Sequence, residues 1–507
     1  MRKISALLIF SLLLACLSGC APKRLYEPSI SVPEKVSADI VLGTNYDIVS
    51  LDPTVSNDIY SYEICSILYD KLVALSENGD IIPSLAEHWD VSDGTEYIFY
   101  LRKDAVFHNG EKLTAEDVVF SLERAMESPV ASSMFEYVTS VSALGEYTVK
   151  ITTEKPYSSL LVNLSSNQSS ILCSKAFDAE TGEYTPIGTG SMMFKEYIPS
   201  DRITLVRNEN YWKGPCKTAT LTRRVFPDEK SLADALSEGE IDYIWSVPAP
   251  YIEYFQNNPD FSVEKYISPS IAYMGFNMKK APFDNILVRQ AMHFSADKQK
   301  VVDSVYSGLG TVCTSVLPNT MADFNSELDL FNFSVKKGQS LMRSAGYPEG
   351  FDMEIIVTSG TRATMAASLA DDFAALGINT KITVSDFADA LNRMGQGDFD
   401  CFIMSWNGGS NYDLNMTANF HTHGSNNYMG YSSDEVDKLI ETARQTFDEA
   451  QKSAIYKEIQ KQIMVDSPWI PVYQQTTVSA MAKGVKGVKV YKTGQVIYTD
   501  MYIEEEE

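Results

Sequence analysis

The segment 85–124 carries turn and capping signals that strongly restrict how a chain can fold. Residues 96–101 are rich in β-branched and aromatic side chains and follow an Asp-Gly pair, which predicts a strand after a turn. The Asn-Gly pair at 109–110 indicates a hairpin, because both residues tolerate positive φ. Thr114 with Asp117 three residues later is a capping pattern, so a helix is predicted to begin there. These elements are scaffold and bring no chemistry.

The N-terminal residues predict export. A basic start precedes an apolar run over residues 4–17, which is short for a membrane span and typical of a signal peptide at 1–19. The Leu-Ser-Gly-Cys ending resembles a bacterial lipobox, which implies that Cys20 is acylated and becomes the mature N-terminus. A plain signal peptide with an incidental cysteine is the alternative. Residues 20–37 comprise this cysteine and a predicted tether. The protein is expected to be anchored at the outer face of the cell membrane or to face the periplasm.

The rest of the chain has the composition of an acidic ectodomain. No second apolar run approaches the roughly 18 residues of a membrane-spanning helix. A length of 507 residues allows a large core and about three domain-sized units. The net charge of −25 becomes more negative once the two cations of the signal leave, which disfavours nucleic-acid binding.

Cysteine usage leaves the redox chemistry open. Of the seven cysteines, one would be removed with the signal and one acylated. The remaining ones have no CxxC spacing and are Cys65, Cys173, Cys216, Cys313 and Cys401. One disulfide is possible in an exported protein, but its pairing does not follow from sequence. Most of these cysteines are expected to be buried small hydrophobes.

Further motifs are spread along the chain in a fixed order. They are LDP at 51–53, IGTG at 187–190, RNENYW at 207–212, GEID at 239–242, PFDN at 282–285, VRQA at 288–291, AGYP at 345–348, LGI at 376–378, GDFD at 397–400 and VDKLI at 436–440. Together with the segment 85–124, these motifs resemble the family 5 extracellular solute-binding proteins, the oligopeptide-capturing receptors of ABC importers. The family's Pro-Tyr after GTG is replaced here by Ser191-Met192.

The resemblance implies an α/β, two-lobed periplasmic-binding-protein-like fold of type II (cluster C-like). An extra subdomain would be inserted in lobe I, and two hinge strands, near 271–275 and 471–473, would join the lobes. The implied boundaries are 38–57, 185–268 and 477–507 for lobe I, 58–184 for the inserted subdomain and 269–476 for lobe II.

The same resemblance implies a function without catalysis. The lobes would close by hinge bending on a peptide and deliver it to ABC permease subunits whose ATPase is a separate chain. A monomer without a cofactor is expected. Two alternatives stay open. One is a receptor of the same fold for another solute, such as glutathione, a nickel chelate, haem or an oligosaccharide. The other is a surface sensor, adhesin or chaperone that uses the fold without transport.

One departure from the family concerns the ligand's N-terminus. In many peptide receptors of the family, an Asp that binds the α-ammonium lies three residues after a tryptophan that matches Trp406. Here that position is Gly409, and the loss of a charge-assisted hydrogen bond should weaken recognition of a free N-terminus. Asp413 or Asn411 is hypothesised to contact the ligand instead. A loop-stabilising role for Asp413 is the alternative.

The remaining cleft candidates come from both predicted lobes. Arg362 falls in a lobe II loop that often carries a carboxylate-binding Arg in the family, and the guanidinium fork suits a carboxylate. Tyr46 and Asp47 follow the first strand and are expected to line the lobe I wall. Trp406 is expected in the cleft, with core packing as the alternative. Arg289 is expected to be a structural residue of its helix.

No enzyme or metal constellation appears. The chain lacks HExxH, a GxSxG elbow and a Walker A turn, and a two-carboxylate hydrolase has no positive support. His421 and His423 form a His-x-His pair that could be read as metal ligands, but no third ligand is evident nearby. No metal site is therefore predicted.

Overall fold

Helices and strands are mixed along the whole described chain. The computed structural model describes residues 36–55, 58–178, 180–407, 411–491 and 494–504. The helices are α1 (Ile59–Leu68), α2 (Ala115–Glu127), α3 (Leu160–Leu164), α4 (Glu229–Ser237), α5 (Ile252–Asn257), α6 (Ile286–Ser295), α7 (Lys298–Val305), α8 (Val335–Ala345), α9 (Thr361–Ala374), α10 (Phe387–Gln396), α11 (Tyr412–Phe420), α12 (Asp434–Gln445) and α13 (Glu449–Asp466). The strands are β1 (Val36–Ser37), β2 (Asp39–Thr44), β3 (Val73–Leu75), β4 (Ile81–Pro83), β5 (Ala86–Ser92), β6 (Glu96–Leu101), β7 (Val138–Gly145), β8 (Thr148–Thr153), β9 (Met192–Ile198), β10 (Arg202–Arg207), β11 (Thr220–Val225), β12 (Tyr243–Ile244), β13 (Phe261–Phe276), β14 (Gly310–Val312), β15 (Asp352–Val357), β16 (Asn379–Val384), β17 (Cys401–Trp406), β18 (Trp469–Ala482), β19 (Val485–Lys486), β20 (Lys489–Val490), β21 (Val496–Ile497) and β22 (Tyr502–Glu504).

Two long strands hold the main sheet together. Its order is β16-β15-β17-β13-β18-β12-β2-β11-β10-β9, with β14 attached to β18. The central strands β13 and β18 run antiparallel, and their register breaks between Ile267 and Ile271. We call the half of the sheet that contains β2 and β9–β12 lobe I, and the half that contains β15–β17 lobe II. The predicted α/β arrangement of two lobes joined by two strands is confirmed, and residues 271–275 and 471–473 lie within β13 and β18.

Each lobe buries both faces of its sheet, as expected for parallel strands covered on two sides. In β13, Met274 and Phe276 pack in one hydrophobic cluster of lobe II, while the intervening Tyr273 packs in the cluster on the opposite face. In lobe I, Tyr243 and Ile244 of β12 likewise belong to two different clusters.

A four-stranded sheet of order β5-β6-β8-β7 and helix α2 form a separate core, which we call the inserted subdomain. The predicted strand 96–101 is β6, and every second side chain of β6 is buried. Gly110 has a φ of 84° in the hairpin between 106 and 112. The predicted capping box of Thr114 and Asp117 opens α2. The local predictions for the segment 85–124 are therefore confirmed.

A glycine pair lets a loop approach the end of α1 closely. A Cβ added to Gly188 would lie 2.0 Å from the carbonyl oxygen of Leu68, and one added to Gly190 would lie 2.2 Å from that of Ile67. His108 fastens the same loop, because its Nδ1 accepts from Gly188 N at 3.2 Å. The IGTG motif thus provides backbone contact that a larger residue would block.

A charged pair is buried beneath the loop that follows β2. Arg223 Nη1 lies 3.2 Å from Glu63 Oε2, and the two side chains are only 5% and 13% exposed. Tyr498 forms a hydrogen bond with Glu63. Burial raises the pKa of Glu63 to about 7, although the positive charge of Arg223 opposes the rise.

We predict that Gly190→Ala lowers the free energy of unfolding by about 2–3 kcal/mol, because backbone atoms must move to admit the methyl group. Urea unfolding measures the change. Gly145→Ala is the matched control, since a Cβ there meets no atom within 4 Å. Equal losses in the two variants would show that close approach is not the cause.

We also predict a pH-dependent effect of Glu63→Gln. The pKa of Glu63 is higher in the folded state than in the unfolded chain, so the protonated carboxyl contributes stability that is fully present below about pH 4. That contribution is lost as the pH rises through about 7. Glutamine stays neutral at both pH values, so the difference in unfolding free energy between the variant and wild type should move in the variant's favour by about 2 kcal/mol from pH 4.5 to pH 8. Urea unfolding at both pH values tests this, with Glu123→Gln on the exposed face of α2 as control. A difference that does not change with pH would contradict the prediction.

Candidate functional site

Strands β13 and β18 pass from one lobe to the other at their register break, which we call the crossing. The strand directions place a candidate cleft there. Strands β2, β11 and β12 are parallel in lobe I, and β15, β16 and β17 are parallel in lobe II. The last residue of β12, Ile244, lies opposite Ala480, and β12 then heads toward the register break. In lobe II, the last residue of β17, Trp406, lies opposite Ile271 on the other side of that break. Both carboxyl edges therefore face the crossing, and such edges are where open α/β sheets bind ligands.

Trp406 lies at this edge of lobe II. Its side chain is half-buried and packs against the lobe II cluster that contains Tyr273. The indole Nε1 donates to Asn415 Oδ1 at 2.7 Å, which fixes the ring relative to α11. The structure thus shows partial packing of Trp406 on the core at the end of β17, and its contact with a ligand stays a prediction.

Arg362 lies in the first turn of α9, directly after the carboxyl end of β15. Its Nη1 donates to Thr358 Oγ1 at 3.0 Å, and it forms no ion pair with any carboxylate of the described residues. The guanidinium is close enough to three tyrosines to influence their ionisation. Burial raises the pKa values of Tyr273, Tyr306 and Tyr473, and the charge of Arg362 opposes each rise. A cation without a carboxylate partner beside aromatic rings can bind an anionic group.

These tyrosines were not among the sequence candidates. The rings of Tyr306 and Tyr473 lie 3.9 Å apart, and Tyr273 stacks on Trp469 at 3.6 Å. Tyr473 belongs to the predicted second hinge strand, so its place near the crossing was signalled by sequence. Tyr306 is the residue after α7 and carries no such signal. Trp245, directly after β12, was also missed and packs near Tyr266, at a ring separation of 5.3 Å.

Tyr46 and Asp47 follow β2 at the carboxyl edge of lobe I. Tyr46 is 59% exposed and stacks on Tyr60 at 4.8 Å, so one face of its ring is available to a ligand. Asp47 is already engaged, because its Oδ2 accepts from Tyr197 Oη at 2.9 Å and from Ser200 N at 2.7 Å. In this structure Asp47 holds the loop on which Tyr46 is presented.

Asn411 and Asp413 lie at the start of α11 and are both buried. The side-chain oxygen of Asn411 caps α11 by accepting from Leu414 N at 3.0 Å. Asp413 Oδ1 lies 3.1 Å from Arg444 Nε, in an ion pair whose N–H is not well aligned for a hydrogen bond. Burial raises the pKa of Asp413, and Arg444 opposes the rise. Both side chains contact protein groups, while Gly409 lies outside the described residues.

Other titratable groups form no recognisable centre. Within the described ranges, no cluster of three or more His, Cys, Asp or Glu side chains could hold a metal ion. His421 Nε2 lies 4.0 Å from Asp437 Oδ1 and 3.9 Å from Glu441 Oε1. Arg289 donates to the carbonyl oxygens of Phe283 and Asp466, which fits the predicted structural role. The cysteines of the described ranges carry free thiols, and all but the half-buried Cys216 are buried. None of the described helices is long and apolar enough to cross a membrane.

Comparison with known proteins connects the cleft to solute binding. The model of the bacterial extracellular solute-binding proteins, family 5 Middle, matches residues 80–428. The chain is 29% identical over 458 residues to heme-binding protein A of Haemophilus influenzae, covering 83% of this chain and 84% of that protein. It is 26% identical over 485 residues to the dipeptide-binding protein of Escherichia coli, covering 88% and 90% of the two chains.

Solved structures agree with the sequence relatives. The structure of the Helicobacter pylori ABC transporter-associated periplasmic binding protein DppA, in complex with peptide STSA, is similar with a TM-score of 0.81 at 27% sequence identity. The similarity covers 93% of this chain and 99% of that one. The predicted type II periplasmic-binding-protein fold is confirmed. From the family match over most of its length, the chain belongs to the bacterial extracellular solute-binding proteins of family 5.

Proposed function

We propose that the protein captures short peptides between its lobes and delivers them to the permease of an ABC importer. The observation that carries the proposal is Arg362, a cation near the carboxyl end of β15 in lobe II that forms no ion pair with a carboxylate of the described residues. A peptide's terminal carboxylate matches the guanidinium fork in charge and geometry. The names of the E. coli and H. pylori relatives support a peptide as the ligand.

The connection between the lobes supports closure on the ligand. Of the strands in the described ranges, only β13 and β18 run through both halves of the main sheet. Bending at their register break would change the angle between the lobes without breaking the pairing on either side. A ligand that contacts both lobes binds the closed form more tightly and shifts the population toward it. The permease can then distinguish a loaded receptor from an empty one by its shape.

The proposed ligand contacts divide between the lobes. Arg362 and Trp406 contribute from lobe II, and the exposed ring of Tyr46 contributes from lobe I. We propose that Asp413 and Asn411 act indirectly, because their polar atoms hold α11 and its neighbours in place beside the ligand site. An extended peptide would add main-chain hydrogen bonds, and this mode of recognition tolerates varied side chains. No chemical step on the ligand is part of this function.

The proposed domain boundaries follow the hydrophobic clusters. Lobe I would include 185–268 and 477–507, and lobe II 269–476, since the register break lies between residues 267 and 271. Helix α1 packs with lobe I strands, which supports starting the inserted subdomain near residue 70 instead of residue 58. Apolar residues of the subdomain core run from Leu72 to Cys173, which supports an end earlier than residue 184.

The proposed location rests on the N-terminal sequence and on the family. A signal peptide over residues 1–19 would direct export, and acylated Cys20 would anchor a monomeric receptor to the membrane surface through a tether ending near residue 37. These residues lie outside the described ranges, apart from the end of the tether. Family membership supports a place outside the cytoplasm.

A second candidate is a receptor of the same fold for a non-peptide solute. The heme-binding relative, at 29% identity over 458 residues, favours this alternative. The absence of an acidic residue at Gly409 also favours a ligand without a free α-ammonium at that position. Within the described residues, Tyr306 and Tyr473 could pack against a planar ligand as well as against a peptide side chain.

Identification of the copurifying ligand tests the function. The protein is extracted from the membrane of an expressing bacterium, and native mass spectrometry measures the mass of the complex before and after denaturation. A family of short peptides is expected. One non-peptide compound, found in every preparation, would support the second candidate and overturn the first.

We predict that Arg362→Ala weakens peptide binding by about 10- to 100-fold, because one charge-assisted contact is lost. Isothermal titration with the peptide Ser-Thr-Ser-Ala and with its C-terminal amide measures the effect. The amide should bind wild type weakly, and Arg362→Ala should no longer distinguish acid from amide. Arg343→Ala, an exposed lobe II arginine on α8, is the control and should bind like wild type. Undiminished discrimination in Arg362→Ala would remove Arg362 from the carboxylate site.

A further inference from the structure

The inserted subdomain contacts lobe II through a polar interface that is separate from strands β13 and β18. Arg444 belongs to the last turn of α12 in lobe II, yet it is 1% exposed because subdomain residues cover it. Its Nη1 donates to Tyr137 Oη at 2.6 Å, and its Nη2 donates to Tyr157 Oη at 3.2 Å. Glu136 Oε2 lies 3.1 Å from Nη1. A lobe II cation is therefore surrounded by subdomain side chains.

Main-chain groups take part in the same interface. Ser158 N donates to the carbonyl oxygen of Arg444 at 2.6 Å, and Ser158 Oγ donates to that of Ala443 at 3.2 Å. Both carbonyls are in the last turn of α12, where the carbonyl oxygen of Ala443 also accepts from Thr446 N at 3.1 Å. Tyr137 Oη also donates to Glu441 at 2.7 Å, and Lys155 Nζ lies 3.1 Å from Glu441 Oε2. The subdomain thus caps the end of a lobe II helix.

A hydrogen-bond chain connects this interface to the cleft. Trp406 Nε1 donates to Asn415 Oδ1 at 2.7 Å, and Asn415 Nδ2 donates to the carbonyl oxygen of Asn411 at 2.7 Å. Asn411 Nδ2 then crosses to the subdomain and donates to Asn163 Oδ1 at 2.7 Å. Asn163 Nδ2 donates to Tyr157 Oη at 2.7 Å, the oxygen that also accepts from Arg444. Every link except Trp406 is buried.

The interface is suited to forming and separating. The subdomain and lobe II have their own hydrophobic clusters, so parting them exposes few apolar side chains. Arg444 would keep Asp413 and Glu441, which both belong to lobe II, and its remaining donors would gain water. The oxygens of Asn163 and Tyr157 would likewise be hydrated. A contact contributes modestly when its polar groups have hydrogen-bond partners both in the formed and in the separated interface. Several such contacts together can shift the equilibrium between the two forms.

We propose that Tyr137, Tyr157 and Asn163 of the inserted subdomain are positioning residues for the ligand site, which hold Arg444 and Asn411 only when the lobes are together and thereby orient Trp406. This inference rests on the proposed function, because it assumes that the lobes part and that a ligand occupies the cleft. It assigns to the subdomain a part in ligand retention, although none of the subdomain's described strands belongs to the main sheet. Loss of the contact lowers the fraction of the binding-competent form and weakens apparent affinity by the same factor.

Tyr137→Phe tests the contact without changing the ring. The peptide Ser-Thr-Ser-Ala should dissociate about fivefold to tenfold faster from the variant in a stopped-flow experiment, because two hydrogen bonds of the closed form are lost. Tyr97→Phe is the matched control. It also removes a buried tyrosine hydroxyl of the subdomain, but that hydroxyl donates to Tyr157 O at 2.6 Å, inside the subdomain. Wild-type dissociation is expected for Tyr97→Phe, even if its Tm is lower. Equal rates for wild type and Tyr137→Phe, or equal acceleration in both variants, would overturn the proposal.

A double-mutant cycle tests the link to Trp406. Trp406→Phe and Asn163→Ala are measured singly and together for peptide affinity. The proposal predicts that the second substitution has little effect once the first is present, whereas additive losses would show that Asn163 does not act through Trp406. A structural role of Asn163 alone changes Tm without this coupling.

Scattering of the ligand-free proteins separates this inference from the proposed function. Tyr137→Phe should have a larger radius of gyration than wild type, and an equal or smaller one would contradict a contact between closed lobes. If wild type binds no peptide at all, the proposed function fails. A larger radius for Tyr137→Phe than for Tyr97→Phe would then still support the contact, and equal radii would overturn it.

Discussion

The antiparallel pairing of β13 and β18 is the constraint on which the rest of the structure depends. Both strands pass through both lobes, and on either side of their register break they serve as central strands of different half-sheets. The parallel strands of each half end toward the break, so the position of the cleft is a consequence of strand direction. The proposed ligand contacts Tyr46, Arg362 and Trp406 lie at or shortly after these carboxyl ends. In the proposed function, the joint between the lobes and the binding site coincide because the same two strands create both.

Buried charges have two distinct uses in this protein. Glu63 and Arg223 are paired within lobe I, where the pair is part of a permanent core and where burial raises the pKa of the carboxyl. Arg444 has partners on both sides of an interface, including Asp413 in its own lobe and the tyrosines of the subdomain. When one partner of a charged pair inside a core is removed, the other charge stays buried without a counter-ion, which is destabilising. A charge that keeps one partner when an interface opens avoids that penalty, which makes it suitable for a reversible contact.

Sequence predicted those features that depend on near neighbours. The strand, hairpin and capping box of the segment 85–124 involve residues within a few positions of each other, and the structure has them as predicted. The two-lobed fold followed from a resemblance in motif order. The partners of Asp413 and Asn411 could not be predicted, because Arg444 and Asn163 reach them through tertiary packing. Tyr306 is a similar case, since its place beside Tyr473 depends on how α7 meets β18. Residue type was enough to identify the candidate site residues. Whether each side chain is free to contact a ligand depends on its contacts with residues that are distant in sequence.

The position of β18 in the chain has a consequence for biogenesis. Lobe I contains strands from the beginning of the described part of the chain, yet the shared neighbour of β12 and β13 is β18, which lies near the C-terminus. A nascent polypeptide therefore cannot complete either half of the sheet until almost the whole chain has been synthesised. Until then, its unpaired strand edges can pair with other chains. In the proposed export, late completion of the sheet would keep the chain unfolded until it has crossed the membrane. It also means that a product truncated before β18 would be left with exposed edges and would be a substrate for proteases and chaperones.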